Sequence, residues 1–345
     1  MRLKLAKRIL AVAGGLALTT AMAWAQSTSF ITIGSGSTSG LYYPTAVGIA
    51  NILNDADVGL RANARSTGAS VFNANAIGQG SMQMGMMQNN IAYYAYNGTG
   101  VQAFEGNKIE NLRGLVGLYP EAIHILARSD AGIESVADLA GKRVYVGDVG
   151  SGTEQDAKNI MGAFGLTFDD LQTAVRGSSG NAVGLLRDDQ IAAMFYTVGL
   201  GSAAIVEAAQ TAPITVVSIT EDELNQLQED YSFYTPFTIP AGTYPGVDED
   251  VQTVTLKAML AASADMSEDD VYTFMNTIFN KKLDAFYSDV QNPNLDEYFT
   301  VENSIEGMSI PLHAGAVKFF KEQGIEVPDE LMPPESGSDS GSASE

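Results

Sequence analysis

The chain has 345 residues, with 41 acidic side chains against 19 basic ones, a formal charge of −22 and no cysteine. That length accommodates two lobes of ordinary size. The missing thiols exclude disulfides, thiolate metal sites and cysteine nucleophiles, and so acidic a surface repels nucleic acid and anionic lipid.

Arg2, Lys4, Lys7 and Arg8 form a basic head, residues 9–20 an apolar run, and Ala23-Trp-Ala25 a small-x-small site before Gln26. This pattern predicts a cleavable secretory signal over residues 1–25 and a periplasmic mature protein. The apolar run is shorter than the ~20 residues that span a bilayer, which disfavours an uncleaved anchor. Cleavage removes four basic groups and no acidic ones, moving the charge from −22 to −26. An anionic solute would then be repelled at long range, and local donors in a closed cleft would have to supply its affinity.

The mature chain opens on Ile31-Thr-Ile-Gly-Ser-Gly-Ser-Thr-Ser-Gly-Leu-Tyr-Tyr-Pro44, which reads as a strand, a Gly/Ser loop and a helix start. Gly34, Gly36 and Gly40 allow tight turns while Ser37, Thr38 and Ser39 cap the helix, so the loop forms a cradle of N–H groups suited to a carboxylate. A helix over 41–54, a strand over 60–64, the unit Arg65-Ser-Thr-Gly-Ala-Ser70 and a helix over 71–78 follow. Met82, Met84 and Met86 alternate as core residues of a strand that ends in the polar Gln88. The segment 93–100 reads as a helix closed by a turn at Asn97-Gly-Thr99. Two apolar strand stretches, 115–119 and 123–127, carry the chain out of its first lobe, with His124 as a hydrogen-bonded packing residue.

Residues 135–143 form a short capped helix, after which Val144-Tyr-Val-Gly-Asp-Val-Gly-Ser-Gly-Thr153 repeats the cradle. Arg176-Gly-Ser-Ser-Gly-Asn181 then repeats the Arg/Ser/Gly unit, and a strand over 191–196 matches the methionine strand. The chain has thus built two related βαβαβ lobes, whose facing cradles close on one small ligand. Beyond them lie a strand over 214–218, a polar helix over 220–230, an aromatic, Pro-rich excursion over 231–246 and a strand over 251–262 returning to lobe one. Helices over 267–282 and 311–324 follow, and a Ser/Gly/acid tail is expected to be disordered. The predicted division is lobe one at 26–125 and 255–330, lobe two at 126–254, and the tail at 331–345.

Several segments together resemble the TAXI-type extracytoplasmic receptors of TRAP transporters. They are Gly34-Ser-Gly-Ser-Thr-Ser-Gly-Leu-Tyr-Tyr-Pro44, Ser66-Thr-Gly-Ala-Ser70, Gln88, Ala95-Tyr-Asn-Gly-Thr99, Leu118-Tyr-Pro-Glu121 with His124, Gly150-Ser-Gly-Thr153, Phe195-Tyr196, Ile239-Pro-Ala-Gly-Thr-Tyr-Pro-Gly246 and Ile310-Pro-Leu-His-Ala-Gly315. The resemblance implies an α/β, type II periplasmic-binding-protein fold: two βαβ lobes joined by hinge strands, with the ligand cleft between them. It implies capture of a small carboxylate of the glutamate, glutamine or 2-oxoglutarate class and delivery to ion-gradient-driven TRAP membrane subunits, without catalysis, metal or cofactor.

Carried over by position, the ligand shell is Gly36, Ser37, Thr38, one of Tyr42 and Tyr43, Ser66, Thr67, Gln88, Ser151, Gly152, Thr153 and Tyr196. Arg65 joins them as a bidentate carboxylate partner or else forms a salt bridge. The chain departs from the family's pattern at Ala69, where glycine is usual, and at Glu154, where a basic residue is common. The alternatives are a binding protein of the same fold serving an ABC importer or a sensor kinase, and a nucleotide-dependent enzyme. The last is weakened because Gly34, Gly36 and Gly40 miss the dinucleotide spacing by one; a serine hydrolase lacks a GxSxG motif. A monomer suffices for capture.

Overall fold

The computed structural model describes residues 28–290, 292 and 295–334. The predicted signal and residues 335–345 of the predicted tail lie outside these, whereas Leu331, at the start of that tail, is buried at 6 % exposure.

The first half of the chain alternates strand and helix: β1 (Ser29–Gly34), α1 (Tyr42–Ala56), β2 (Leu60–Arg65), α2 (Ser70–Gly78), β3 (Met84–Gln88) and α3 (Asn89–Asn97). The long strand β4 (Leu112–Arg128) then leads to a second run: β5 (Arg143–Gly147), α4 (Gly152–Ala163), β6 (Thr173–Arg176), α5 (Ser179–Arg187), β7 (Ala193–Val198) and α6 (Ala203–Thr211). After β8 (Ile214–Val216), α7 (Glu221–Asp230) and β9 (Thr235–Ile239), the strand β10 (Val251–Ser263) returns to the first lobe. The described part closes with α8 (Glu268–Asn276), α9 (Leu283–Asp289), α10 (Leu295–Tyr298) and α11 (Ala314–Glu322).

All ten strands join in one sheet of order β2-β1-β3-β10-β4-β7-β5-β6, with β8 on β4 and β9 on β10. Each half follows the same rule. In the first, β2-β1-β3 is extended by the antiparallel β10; in the second, β6-β5-β7 is extended by the antiparallel β4. Two long antiparallel strands therefore cross between the halves, β4 pairing with β10 as far as Ala122 and with β7 from Ala122 to Ala127. This is the bilobed type II periplasmic-binding-protein architecture. The repeat seen in the sequence recurs in the pairing, Gly34 with Arg65 in one half and Gly147 with Arg176 in the other, the second reached through a register shift after Tyr145.

Parallel strands covered by helices on both faces bury every side chain. Met84, Met86 and Met87 are all fully buried, beyond the alternation expected of the methionines. The two apolar stretches 115–119 and 123–127 form one continuous strand of 17 residues. The Pro-rich excursion holds the unexpected β9, an edge strand in which Pro236, without an N–H to donate, lies opposite Val254. The predicted helix over 267–282 is interrupted, α8 giving way to a π-turn over Thr277–Lys281. His313 caps α11, its Nδ1 accepting from Gly315 N at 3.1 Å.

Candidate functional site

The sheet's topology puts the carboxyl ends of parallel strands from both halves against one crevice, the place where open α/β sheets gather helix N-termini. The starts of α1, α2, α4 and α5 line it together with Gln88 at the start of α3, Glu121 on β4, Tyr145 on β5 and Tyr196 on β7. The cavity between the halves has a volume of about 60 Å³.

Of the residues expected in the ligand shell, Gly36, Ser37, Tyr42, Thr67, Gln88, Ser151, Gly152, Thr153 and Tyr196 line this crevice. Thr38 and Tyr43 instead face an outer groove beside α9, so Tyr42 is the inward member of the tyrosine pair. Ser66 is exposed and donates its hydroxyl to Gly36 O at 2.8 Å, fastening the second unit to the first cradle. Arg65, which the sequence offered as a carboxylate partner, is exposed at the end of β2 and outside the lining.

The sequence reading missed Ser70, Glu121, Tyr145, Asp148, Ser179 and Thr197, all of which line the crevice. A signal existed for three of them. Ser70 and Ser179 sit in the paired Arg/Ser/Gly units, and Glu121 is a charge inside an otherwise apolar strand.

Contacts across the crevice are numerous. Ser39 Oγ meets Ser179 Oγ at 2.8 Å across it, and within the second half Ser179 Oγ meets Tyr196 Oη at 3.2 Å. The first N–H groups of α2, on Val71 and Phe72, donate to Gly150 O of the second cradle at 3.1 and 3.3 Å. Gly150 reaches that position with φ +74, a left-handed conformation that favours glycine. At Gly152 an added Cβ would overlap the end of the Gln88 side chain, so a larger residue there needs Gln88 to move. The halves are thus in contact, as in a closed clamp.

Two buried carboxyls define the electrostatics. Asp156, on α4 and fully buried, accepts from Gln88 Nε2 (2.8 Å) and Asn90 Nδ2 (3.2 Å) across the crevice, and from Thr197 Oγ1 (2.7 Å) and Tyr234 Oη (2.8 Å) on its own side. Burial raises its pKa to about 6, against the opposing pull of these four bonds. Glu121, 3 % exposed, accepts from Tyr42 Oη at 2.7 Å through one oxygen. Burial raises its pKa to about 8, with Tyr42's bond opposing and Asp156 adding to the rise. His124 is a packing residue as expected: Nδ1 donates to Tyr196 O at 3.3 Å and Nε2 accepts from Tyr244 Oη at 2.9 Å. Burial lowers its pKa to about 4. Glu154 holds Arg176 at 2.6 Å and accepts from Gly150 N, stiffening the second cradle.

The NMT1-like family model matches residues 33–324, and the chain belongs to that family. Among solved structures, it is similar to a protein from Bordetella bronchiseptica RB50 at 17 % identity and TM-score 0.50, over 88 % of this chain and 91 % of that one. A putative L-cystine ABC transporter protein from Listeria monocytogenes matches at 14 % identity and TM-score 0.49, over 77 % and 98 % of the two chains. The alkanesulfonate-binding protein from Xanthomonas axonopodis pv. citri matches at 14 % and TM-score 0.46, over 89 % and 98 %.

These findings correct the expected identity. The family that the chain matches over residues 33–324 is NMT1-like, not the TAXI type that the motifs suggested. The TAXI identity, the TRAP membrane subunits as partners and the delivery of a small carboxylate to them are withdrawn together. Several of the motifs that suggested them, Gly34-Ser-Gly and Gly150-Ser-Gly-Thr153 among them, supply residues to the crevice, and a fold does not fix the permease it serves. Among the described residues no group of three or more His, Asp or Glu is placed to hold a metal ion. No helix of the described residues is long and apolar enough to cross a membrane.

Proposed function

We propose that this chain is an extracytoplasmic solute-binding protein that closes its two lobes over one small polar solute and presents it to the permease of an ABC importer. The observation that carries the reading is the crevice itself: four helix starts and the ends of strands from both halves line one enclosed space. A pocket so built is completed only on closure, which couples binding to a change of shape that a permease can read. The importer class follows the names of the solved neighbours and replaces the ion-driven permease of the sequence reading.

The lobes are proposed to meet near Ala122, where β4 exchanges β10 for β7, a few residues before the predicted 125/126 boundary. Residues 126–254 then keep most of the second lobe, and the return through β10 keeps 255–330 with the first. The crevice residues Gly36, Ser37, Tyr42, Thr67, Gln88, Ser151, Gly152, Thr153 and Tyr196 are proposed as ligand contacts. The basic head and the Ala23-Trp-Ala25 site support export by a cleaved signal.

Small-angle scattering of the mature protein, with and without an equimolar mixture of amino acids, polyamines, dicarboxylates, sugars and amides, tests closure. A smaller radius of gyration with solute is expected, and superimposable curves would remove the clamp. For the importer class, uptake should persist when the ion gradient is collapsed and ATP maintained. Uptake that stops under those conditions excludes the ABC assignment.

A further inference from the structure

Resting on the receptor reading above, we propose that the solute carries a protonated amine, received by the carboxylate of Glu121 and the faces of Tyr42, Tyr145 and Tyr196. Glu121 lines the crevice and is more than nine-tenths buried, and its Oε2 accepts from Tyr42. Oε1 accepts no hydrogen bond among the described residues. A carboxylate accommodates about four such bonds, so a buried one with a single donor has capacity left for a ligand.

The surroundings select the sign of that ligand. None of the described residues that line the crevice is Lys, Arg or His, while Asp148 adds a second carboxyl to its wall. A dianion here would face two carboxyls with only backbone N–H groups and hydroxyls to hold it, and the first N–H groups of α2 are already taken by Gly150 O. An ammonium group meets the opposite case. It gains a buried counter-charge and three tyrosine rings, whose negative faces attract cations more strongly once water is excluded. The overall charge of −22 draws cations inward as well.

The titratable groups acting on Glu121 are Tyr42 on α1, Tyr119 on β4 itself, Asp156 on α4 and Tyr196 on β7, and none brings positive charge. Lys257, on the adjacent strand β10, lies opposite Pro120 and faces Glu306. Without a cationic partner, burial keeps Glu121 largely protonated at neutral pH. Pairing with an ammonium therefore expels the Glu121 proton to solvent, and binding tightens as pH rises toward 8. A group with only a packing role would show neither effect.

The mature protein, incubated with the equimolar mixture named above, is examined by native mass spectrometry for the mass of the bound solute. The bound species is expected to contain an amine. Calorimetry with that compound in buffers of different ionisation enthalpy should show proton release near pH 7. Glu121→Gln keeps an acceptor for Tyr42 and should weaken binding by about tenfold or more while abolishing the release. A bound solute without an amine, or unchanged affinity and proton release in Glu121→Gln, overturns the inference and leaves the receptor reading standing. Failure of every solute to bind removes the receptor reading and the inference with it.

Discussion

The two halves start from the same plan and finish it differently. In the first, the loop from Gly34 to the start of α1 at Tyr42 is long, and no acidic residue occupies the first turn of α1 or α2. In the second, Gly147 and the start of α4 at Gly152 are close together, Ser151 caps the helix by accepting from Glu154 N at 3.0 Å, and Glu154 ties down both Gly150 and Arg176. The second helix of each pair shows the same contrast. In α5, Ser178 accepts from Asn181 N, whereas the capping position before α2 is Ala69, whose side chain has no oxygen to offer, and the N–H groups of Val71 and Phe72 are capped by Gly150 O of the opposite half. The second cradle is self-sufficient and the first is completed by closure. A binding protein that must open and close gains from such asymmetry, because one half stays rigid while the other depends on the closed state.

The sharpest break of that comparison is at Asp156, the second half's reach into the first. Asp156→Ala leaves four buried donors without their acceptor, and a loss of about 3 kcal/mol in denaturant unfolding is expected. A loss below ~1 kcal/mol would mean that water replaces the carboxylate and that the halves are not joined there.

Glu121 sharpens the comparison through pH. Its folded pKa is raised from 4.5 to about 8, so its contribution to stability is fully present below pH 4.5 and lost as pH rises through 8. Asp156, raised from 3.8 to about 6, acts in the same direction in a lower window. Glu121→Gln removes only the higher one. Relative to that variant, the parent should lose about 2 kcal/mol between roughly pH 6 and pH 8, read from denaturation midpoints across pH. Parallel profiles would place a solvated carboxylate at that position.

Ala69 tests the first half's dependence on closure. Its φ of +69 with ψ of −138 lies where side chains are strained. Ala69→Gly should raise stability by about 1 kcal/mol, the relief of strain exceeding the added freedom of the unfolded chain. No gain would mean that the surrounding unit relaxes around alanine.

Much of this plan was legible in the sequence because it is written in backbone-controlling residues. The Gly/Ser loops and the Arg/Ser/Gly units repeat at similar spacing, and the structure pairs Gly34 with Arg65 as it pairs Gly147 with Arg176. What escaped depends on distance in the chain. Glu121 becomes a site residue only through Tyr42, 79 positions away, and Asp156 through Gln88, 68 positions away. β9 escaped because Pro236 signals loop unless the strand is known to lie at an edge. Thr38 and Tyr43, one position from Ser37 and Tyr42, line the outer groove, a difference of side that adjacent residues of one type do not reveal in a sequence.

The smallest expected effect is the most direct test of the asymmetry. Arg65 and Arg176 occupy the same register position in the two halves, yet Arg176 meets Glu154 at 2.6 Å while Arg65 has no ion pair among the described residues. The cause lies one helix away. The third residue of α4 is Glu154, and the third residue of α1 is Pro44, so the first half has no acid to offer. Arg176→Ala should therefore cost about 0.5 kcal/mol, the scale of a half-exposed pair, and Arg65→Ala should lie within about 0.3 kcal/mol of the parent. Solute affinity should change by less than about twofold in Arg65→Ala, because the side chain is outside the crevice. A loss of about tenfold would bring Arg65 into contact with the solute and restore the anion site that its place beside the first cradle suggested. The rigid, self-paired half would then be the one that leaves the solute free, and the half without its own acid would be the one that holds it.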